Sequence, residues 1–420
     1  MLNRYINFII FSFILLQKVV AQREPAREII HDLCSDEMAG RGYVDQGHLT
    51  AAKYIRDHFS QLNLLSFEKG NYLQPFNINV NTFPKSVHVS LSGKELRPGL
   101  DYLIDPISGS AKGEYELVFV NNNNLIDFLS ELSKAKNNPL IHNAVVLNAT
   151  ATQDVDTLSL FNELKYSLAQ LCPVIWIKED KFTWSVGKEA FEFPIIEVRD
   201  SSINNSSSIE LDIENQYLQN ITTHNLIGFV EGKRKKKFIV LSAHYDHLGM
   251  MGDAMFPGAN DNASGTSMLL SLADYFSKNK PKYNVVFMAF GAEEVGILGS
   301  KYYTENPLFP LDKIKFLINM DIMGTGDEGI TVVNGTLHKK QFKKLSKINK
   351  KMDYVPKVKI RGRAANSDHF WFTQMGVPAF FIYTVGGIQA YHDVYDRPET
   401  LPLTEFDDLH DLIIDLLKKM

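Results

Sequence analysis

The sequence predicts an α/β fold: a doubly wound, mostly parallel mixed sheet with helices on both faces, interrupted by an inserted β-rich stretch. Three observations predict it. From Asn225 onward, short apolar runs alternate with amphipathic stretches of helical period, the pattern of strands and helices that covers a parallel sheet on both faces. Between Phe83 and Ile213 this gives way to short β-branched and aromatic runs separated by Asn- and Ser-rich turns. Four of the apolar runs are succeeded closely by Asp, Glu or His, as expected where ligands bind beyond the carboxyl ends of strands. With 420 residues, 45% of them hydrophobic and 22% charged, the chain is an ordinary globular protein of more than one domain.

Met1-Leu-Asn-Arg4, the apolar stretch from Tyr5 to Leu16 and then Val20-Ala21 have the layout of a secretory signal peptide, so residues 1–21 are set aside from the fold. The apolar core is short for a membrane span of about 20 residues. No Cys stands at the boundary to carry a lipid, so the expectation is an exported protein, periplasmic or secreted, without a stable membrane anchor. Residues 22–82 form an N-terminal segment packing on the catalytic domain. Within it Arg27 to Leu62 reads as helical, with apolar positions at Ile29, Ile30, Leu33, Ala51, Ala52, Ile55 and Phe59, interrupted at Gly40-Arg-Gly42 and Gly47. Residues 83–213 are the inserted domain, with strands at Tyr115–Val120, Ala144–Leu147 and Pro173–Ile177. Residues 214–420 are the catalytic domain. Its predicted strands are Asn225–Val230, Phe238–Ala243, Asn284–Phe290, Lys315–Met320 and Ala379–Tyr383, and its helices Ser264–Phe276, Leu298–Thr304 and a last one opened by a capping box at Thr404-Glu-Phe-Asp407.

A net charge of -5 argues against a nucleic-acid partner. The basic run Lys233 to Lys237 lies between two strand-like stretches with Gly232 at the bend and reads as a solvated hairpin tip. Cys34 and Cys172 are the only cysteines, too few for a disulfide framework or a thiolate zinc site, with one bridge between them left open.

The chemistry lies in the polar residues just beyond the strands: His244-Tyr-Asp246-His247, Asp261, Glu293-Glu294 and Asp321. A buried strand gains nothing from ending in unpaired carboxylates, which are costly near a core, whereas two divalent cations would pair them. Strand alternation puts His244 and Asp246 on one side and Tyr245 and His247 on the other. That makes His244 the ligand, with Asp246 accepting a hydrogen bond from its other ring nitrogen. The pair Glu293-Glu294 suits a division between a metal ligand and a free general base.

The segments His244-Tyr-Asp-His-Leu-Gly249, Asn260-Asp-Asn-Ala-Ser-Gly265, Ala292-Glu-Glu-Val-Gly-Ile-Leu-Gly-Ser300, Asn319-Met-Asp321, Ser367-Asp-His369 and Tyr391-His392 resemble those of peptidase family 28 of the metallopeptidases, which includes bacterial aminopeptidases and glutamate carboxypeptidase. The resemblance spans Asn225 to Leu401 and extends to Gly40-Arg-Gly42. It implies a zinc-peptidase/phosphorylase-like fold and two Zn2+ per chain. Asp261 would bridge the metals, His244 and Asp321 would complete one site, and Glu294 and His392 the other. Glu293 becomes the general base to a metal-bridging water. Tyr391 matches a hydrogen-bond donor to the carbonyl oxygen, Asp246 an aspartate supporting the ligands, and Asp368 a structural position. Residues 83–213 resemble a protease-associated domain, which in relatives sits over the active site.

The implied activity is hydrolysis of N-terminal residues from peptides. A carboxypeptidase or dipeptidase shares the same metal motifs and stays open. A glutaminyl cyclase needs fewer ligands, and a non-catalytic binding ectodomain would not keep Glu293 with a full ligand set. Of the 12 histidines only His244 and His392 are assigned to metal, with His247 and His369 intermediate. Ser264 has no Gly-x-Ser-x-Gly elbow around it and reads as a helix start.

Overall fold

A computed structural model describes residues 24–135, 138–199, 203 and 206–420. The signal-peptide expectation for residues 1–21 lies outside the described residues. The main sheet has eight strands in the order Leu73–Thr82, Gln216–Val230, Tyr283–Phe290, Arg234–His244, Ile314–Met320, Ala379–Val385, Gly329–Val333 and Val358–Ile360. The four strands from Tyr283–Phe290 to Ala379–Val385 run parallel, and antiparallel pairs flank them. The fold is therefore mixed α/β, as the strand and helix alternation predicted.

Burial on both faces comes from side-chain alternation along a strand. All eight residues of Tyr283–Phe290 are buried. Val285, Phe287 and Ala289 enter the core shared with Ile30, Leu33, Ile55, Phe59, Met268, Leu272, Leu345 and Leu412. Val286, Met288 and Phe290 enter the opposite core, which holds Tyr303 and Phe372. The helix at residues 24–33 and the helix Gly47–Gln61 lie on the first face. Their buried positions Ile30, Leu33, Ala51, Ala52, Ile55 and Phe59 are six of the seven read from helical period, while Ile29 is partly buried.

Residues 87–213 build a second eight-stranded sheet with a core around Val89, Tyr102, Val146, Ile175 and Ile196 that also takes in Leu248, Met251, Phe256 and Val394 from beyond it. Two helices, Leu125–Lys134 and Val155–Leu168, cover it. The chain leaves the main sheet at Thr82 and returns at Gln216, residues paired across the two edge strands.

Two local expectations are corrected, and a point left open is decided. Gln216–Val230 and Arg234–His244 are not a hairpin, because Tyr283–Phe290 lies between them and pairs with both. The basic run therefore begins a strand of the parallel sheet. At the crossing Gly232 donates its N–H to Asn284 Oδ1 at 2.9 Å, and a Cβ there would lie 2.2 Å from the Tyr283 carbonyl carbon, so glycine is required. The last helix starts at Phe406 with Glu405 at its N-cap and no side-chain cap bond, while the Thr404 hydroxyl turns to Asp327 at 3.4 Å. Cys34 and Cys172 are free buried thiols in different cores, so the bridge left open is not formed.

Candidate metal centre

Three neighbouring strands deliver the cluster. His244 is the last residue of Arg234–His244 and stands level with Phe290, the last residue of the next strand. Glu293 and Glu294 come just after that strand, and Asp321 just after Ile314–Met320. Asp261 comes from the irregular turn Ala259–Ser264 that opens the helix Gly265–Lys278.

The turn is held from several sides. Asp396, fully buried, accepts the N–H of Asn260 at 2.8 Å and that of Asp261 at 3.0 Å. Asn262 donates to the Met320 carbonyl at 3.0 Å and accepts the amides of Gly265 and Ile322 at 2.9 and 3.2 Å. Ser264 donates to Asn260 O and accepts from Met323 N, each at 2.7 Å, so its hydroxyl is occupied by the turn. Beneath lies Arg41, fully buried, whose guanidinium donates to the carbonyls of Tyr245, Leu33, Pro257, Gly258 and Asp261 at 2.7 to 3.3 Å. Its flanking glycines admit it: a Cβ on Gly40 would come 2.6 Å from Gly249 O, and one on Gly42 would come 2.4 Å from Gly249 Cα.

His244 Nε2 lies 3.4 Å from Asp261 Oδ1 and 3.4 Å from Asp321 Oδ1. His392 Nε2 lies 3.1 Å from Asp261 Oδ2 and 3.3 Å from Glu294 Oε2. These spacings suit ligands around tetrahedral zinc, since bonds of about 2.0–2.1 Å separate ligand atoms by about 3.3–3.4 Å. Asp321 Oδ1 is buried without a hydrogen-bond donor, as an oxygen reserved for a cation would be. Asp321 Oδ2 accepts from Ser367 Oγ at 3.1 Å, and Ser367 is tied through Asn319 to Ser242. The donor set therefore fits zinc, with Asp261 offering one oxygen to each histidine.

Glu293 also comes within 4.8 Å of donor atoms of His244 and Asp321, so proximity alone does not separate ligand from base. Engagement does: Glu294 meets His392 at 3.3 Å and His247 Nδ1 at 2.8 Å, whereas Glu293 has no imidazole nitrogen within 4.0 Å among the described residues. Burial and the charges of Glu294, Asp368 and Asp321 hold the Glu293 carboxyl well above the usual carboxylate range, against the pull of His244. Burial opposes ionisation of Asp261 too, but hydrogen bonds from His244 and His392 outweigh it and hold that carboxyl well below the usual range. Burial would lower the His392 imidazole, yet Glu294 and Asp261 push it up to about 10.

Asp246 acts differently from the expectation. Its carboxylate accepts the amides of Glu293 and Glu294 at 3.1 and 3.2 Å and stands 3.8 Å from His244 Nδ1, which instead meets the Asp246 backbone carbonyl at 3.2 Å. The strand ends at His244, so alternation no longer holds beyond it and His247 turns into the site as well. Asp368 is buried next to the cluster, and burial pushes its carboxyl up to about 7. Tyr391 is 44% exposed and stacks on His392 with ring centres 4.1 Å apart. A cavity of about 280 Å³ is lined by His244, Asp261, Glu293, Glu294, Asp321 and His392, with Tyr391, Tyr383, Phe381 and Arg361 on its walls. A larger cavity of about 770 Å³, between His31, Pro98 and Pro398, contains none of these residues. The sequence reading missed Arg41 and Asp396; the Gly40-Arg-Gly42 signature was the one available signal for the first.

Residues 225–417 match the model of peptidase family M28. Aminopeptidase YwaD of Bacillus subtilis is 37% identical over 112 residues, covering 26% of this chain and 24% of that protein. A probable zinc metalloprotease of Pyrenophora tritici-repentis is 33% identical over 117 residues, again 26% and 24%. The chain thus spans about a quarter of the length of these curated relatives. Among solved structures, a zinc aminopeptidase from Bacillus subtilis superposes with a TM-score of 0.70 at 17% identity, covering 94% of each chain. A peptidase M28 precursor from Shewanella amazonensis gives 0.68 at 16%, covering 94% of this chain and 92% of its own. At such identities the likeness is one of fold.

Proposed function

From a chain whose residues 225–417 match peptidase family M28, we propose an exported two-zinc aminopeptidase that removes N-terminal residues from peptides. The observation that carries this reading is Asp261, whose two carboxylate oxygens face two different histidines, His244 and His392. His244 and Asp321 would hold one ion, and Glu294 and His392 the other.

When bound, two zinc ions supply Lewis acidity to the scissile carbonyl and lower the pKa of the attacking water toward neutrality. Glu293 takes a proton from that water as its oxygen bonds to the carbonyl carbon, then returns it to the departing amine as the C–N bond breaks. The Tyr391 hydroxyl, at the cavity wall, donates a hydrogen bond to the developing oxyanion. The buried floor keeps bulk water from the charges. Asp246 orients Glu293 and Glu294 through their amides.

Export rests on residues 1–21, and no helix among the described residues is long and apolar enough to cross a membrane. The stretch 83–213, read as a protease-associated domain, would border the substrate. One observation favours a second reading. Arg361 lines the same cavity, donates to Tyr383 Oη at 3.1 Å and has no ion-pair partner among the described residues. It would suit a substrate carboxylate, hence a carboxypeptidase or dipeptidase.

The test is to count zinc in the purified mature chain and assay amino-acid anilides, N-acetylated controls and dipeptides varied at the C-terminus. About two zinc ions with cleavage of free-amine substrates alone supports the aminopeptidase. Cleavage of blocked substrates alone moves the activity to the carboxypeptidase side. One metal or none, without cleavage, sinks the two-zinc reading.

A further inference from the structure

The second-sheet unit touches the metal centre through a short strap. Trp184 donates its backbone N–H to the His392 carbonyl at 2.8 Å, and His392 Nδ1 lies 2.9 Å from the Trp184 carbonyl. A carbonyl only accepts, so this contact requires a proton on Nδ1 and turns Nε2 toward Asp261 and Glu294. Three residues earlier, Lys181 Nζ lies 2.6 Å from Asp393 Oδ2 and donates to the carbonyls of Gln389 and Tyr391 at 2.6 and 3.3 Å. Asp393 in turn accepts the amides of Tyr391 and Tyr395 at 3.3 and 2.9 Å. The loop so gripped holds His392 at φ +53°, a left-handed backbone that a non-glycine residue keeps only when its surroundings impose it.

The strap is itself anchored on both sides, by Ile104 in the second sheet and by Phe256 in the strand Ala254–Phe256 outside it. Trp184 Nε1 donates to the Ile104 carbonyl at 2.7 Å, and its ring stacks on Phe256 with centres 4.7 Å apart. By contrast, His244 is oriented by the Asp246 carbonyl, from the main sheet's own loop. The two histidines facing Asp261 are thus positioned by different parts of the chain.

We propose that the second-sheet unit is a structural part of the metal centre, with Lys181 and Trp184 as positioning residues that set occupancy of the site formed by Glu294 and His392. The proposal rests on the two-zinc reading. Neither residue touches substrate or metal; both act through His392.

The test is titration of the metal-free full-length chain with zinc against a chromophoric chelator, for the wild type, Lys181→Met, Lys181→Arg and Trp184→Phe. Lys181→Met keeps the side-chain length and removes the ammonium, and Trp184→Phe loosens the strap without touching residues 389–393. Both are expected to bind one equivalent as the wild type does and the second about 10–100-fold more weakly. Metal-free thermal unfolding of Lys181→Met is expected to match the wild type and that of Trp184→Phe to lie lower, because a buried ring shrinks and the Ile104 carbonyl loses the indole donor, while Lys181→Arg is expected to restore the second equivalent. Two wild-type-like equivalents in both Lys181→Met and Trp184→Phe overturn the proposal. So does equal weakening of both equivalents, which marks general destabilisation. A wild type that takes fewer than two equivalents overturns the two-zinc reading and this proposal with it.

Discussion

Replacing Arg41 with Met tests how the metal-bearing turn is held. The guanidinium donates to five backbone carbonyls at 2.7 to 3.3 Å in full burial. Two of those carbonyls keep another donor: Pro257 O has the Cys34 thiol at 3.3 Å, and Gly258 O has the Ala263 amide at 3.2 Å. The other three, on Leu33, Tyr245 and Asp261, lose their Arg41 donor. At about 1–3 kcal/mol for each buried acceptor left unpaired, the gross cost is about 3–9 kcal/mol. Removing a buried cation, whose desolvation is itself unfavourable, offsets part of this. The expected net loss is about 3–5 kcal/mol, a large share of the roughly 5–15 kcal/mol that holds a domain folded. Urea unfolding read by fluorescence gives the stability. Zinc content at saturating metal shows whether the turn from Pro257 to Asp261 still presents its carboxylate. A loss below about 1 kcal/mol together with normal zinc uptake would refute the claim that Arg41 holds the turn.

Glu293→Gln is expected to lower kcat by about 10²–10⁴-fold, the usual worth of a general base, with zinc content kept. Loss of metal from that variant, or near-normal turnover, goes against the division between Glu293 and Glu294. Chelation should abolish activity and lower the thermal midpoint, because Asp261, Glu294 and Asp321 then lose the cations that pair them in burial, and added zinc should restore both; an unchanged midpoint contradicts this. His48 supplies a pH dependence. Burial holds its imidazole down at about 4, against the pull of the Gly42 carbonyl, so its contribution is present above the unfolded value of about 6.5 and is lost as pH falls toward 4. Unfolding free energies of the wild type and His48→Gln between pH 7 and 4 should therefore converge on acidification; parallel profiles exclude His48 as the source.

Much of the main sheet was legible because a strand buried on both faces must be apolar throughout, and acid or imidazole just after such a run is conspicuous. That is how His244, Glu293, Glu294 and Asp321 stood out, and the structure gathers them with Asp261 and His392 around one cavity. Local geometry was less legible. Side-chain alternation stops with the strand at His244, so it misplaces the Asp246 carboxylate, which meets the Glu293 and Glu294 amides and not the histidine. Arg41 was hidden because a lone cation between glycines interrupts a helical period, and five of its six partners are backbone carbonyls that no side-chain pattern marks. The basic run looks like a hairpin tip since its flanking strands are adjacent in sequence, and the strand between them arrives about 50 residues later. In the second sheet the helix Val155–Leu168 carries a readable cap, Asp154 accepting the Thr157 amide at 2.9 Å, but the surrounding Asn- and Ser-rich turns obscure it.

Thr82 and Gln216 are paired neighbours, with the Thr82 hydroxyl donating to the Gln216 carbonyl at 2.9 Å, so the whole second-sheet unit leaves and re-enters the peptidase through one narrow doorway. A tight turn could bridge that doorway, which makes it a natural splice point: the unit can be exchanged for another module without re-routing a single strand of the sheet beneath. What a transplant would not carry over is the Trp184 strap, nor the apolar cover that the second sheet gives Leu248, Met251, Phe256 and Val394. An engineer building chimaeras at this junction would have to graft a replacement carbonyl opposite His392, or accept a scaffold that keeps its architecture while its histidine loses its rest.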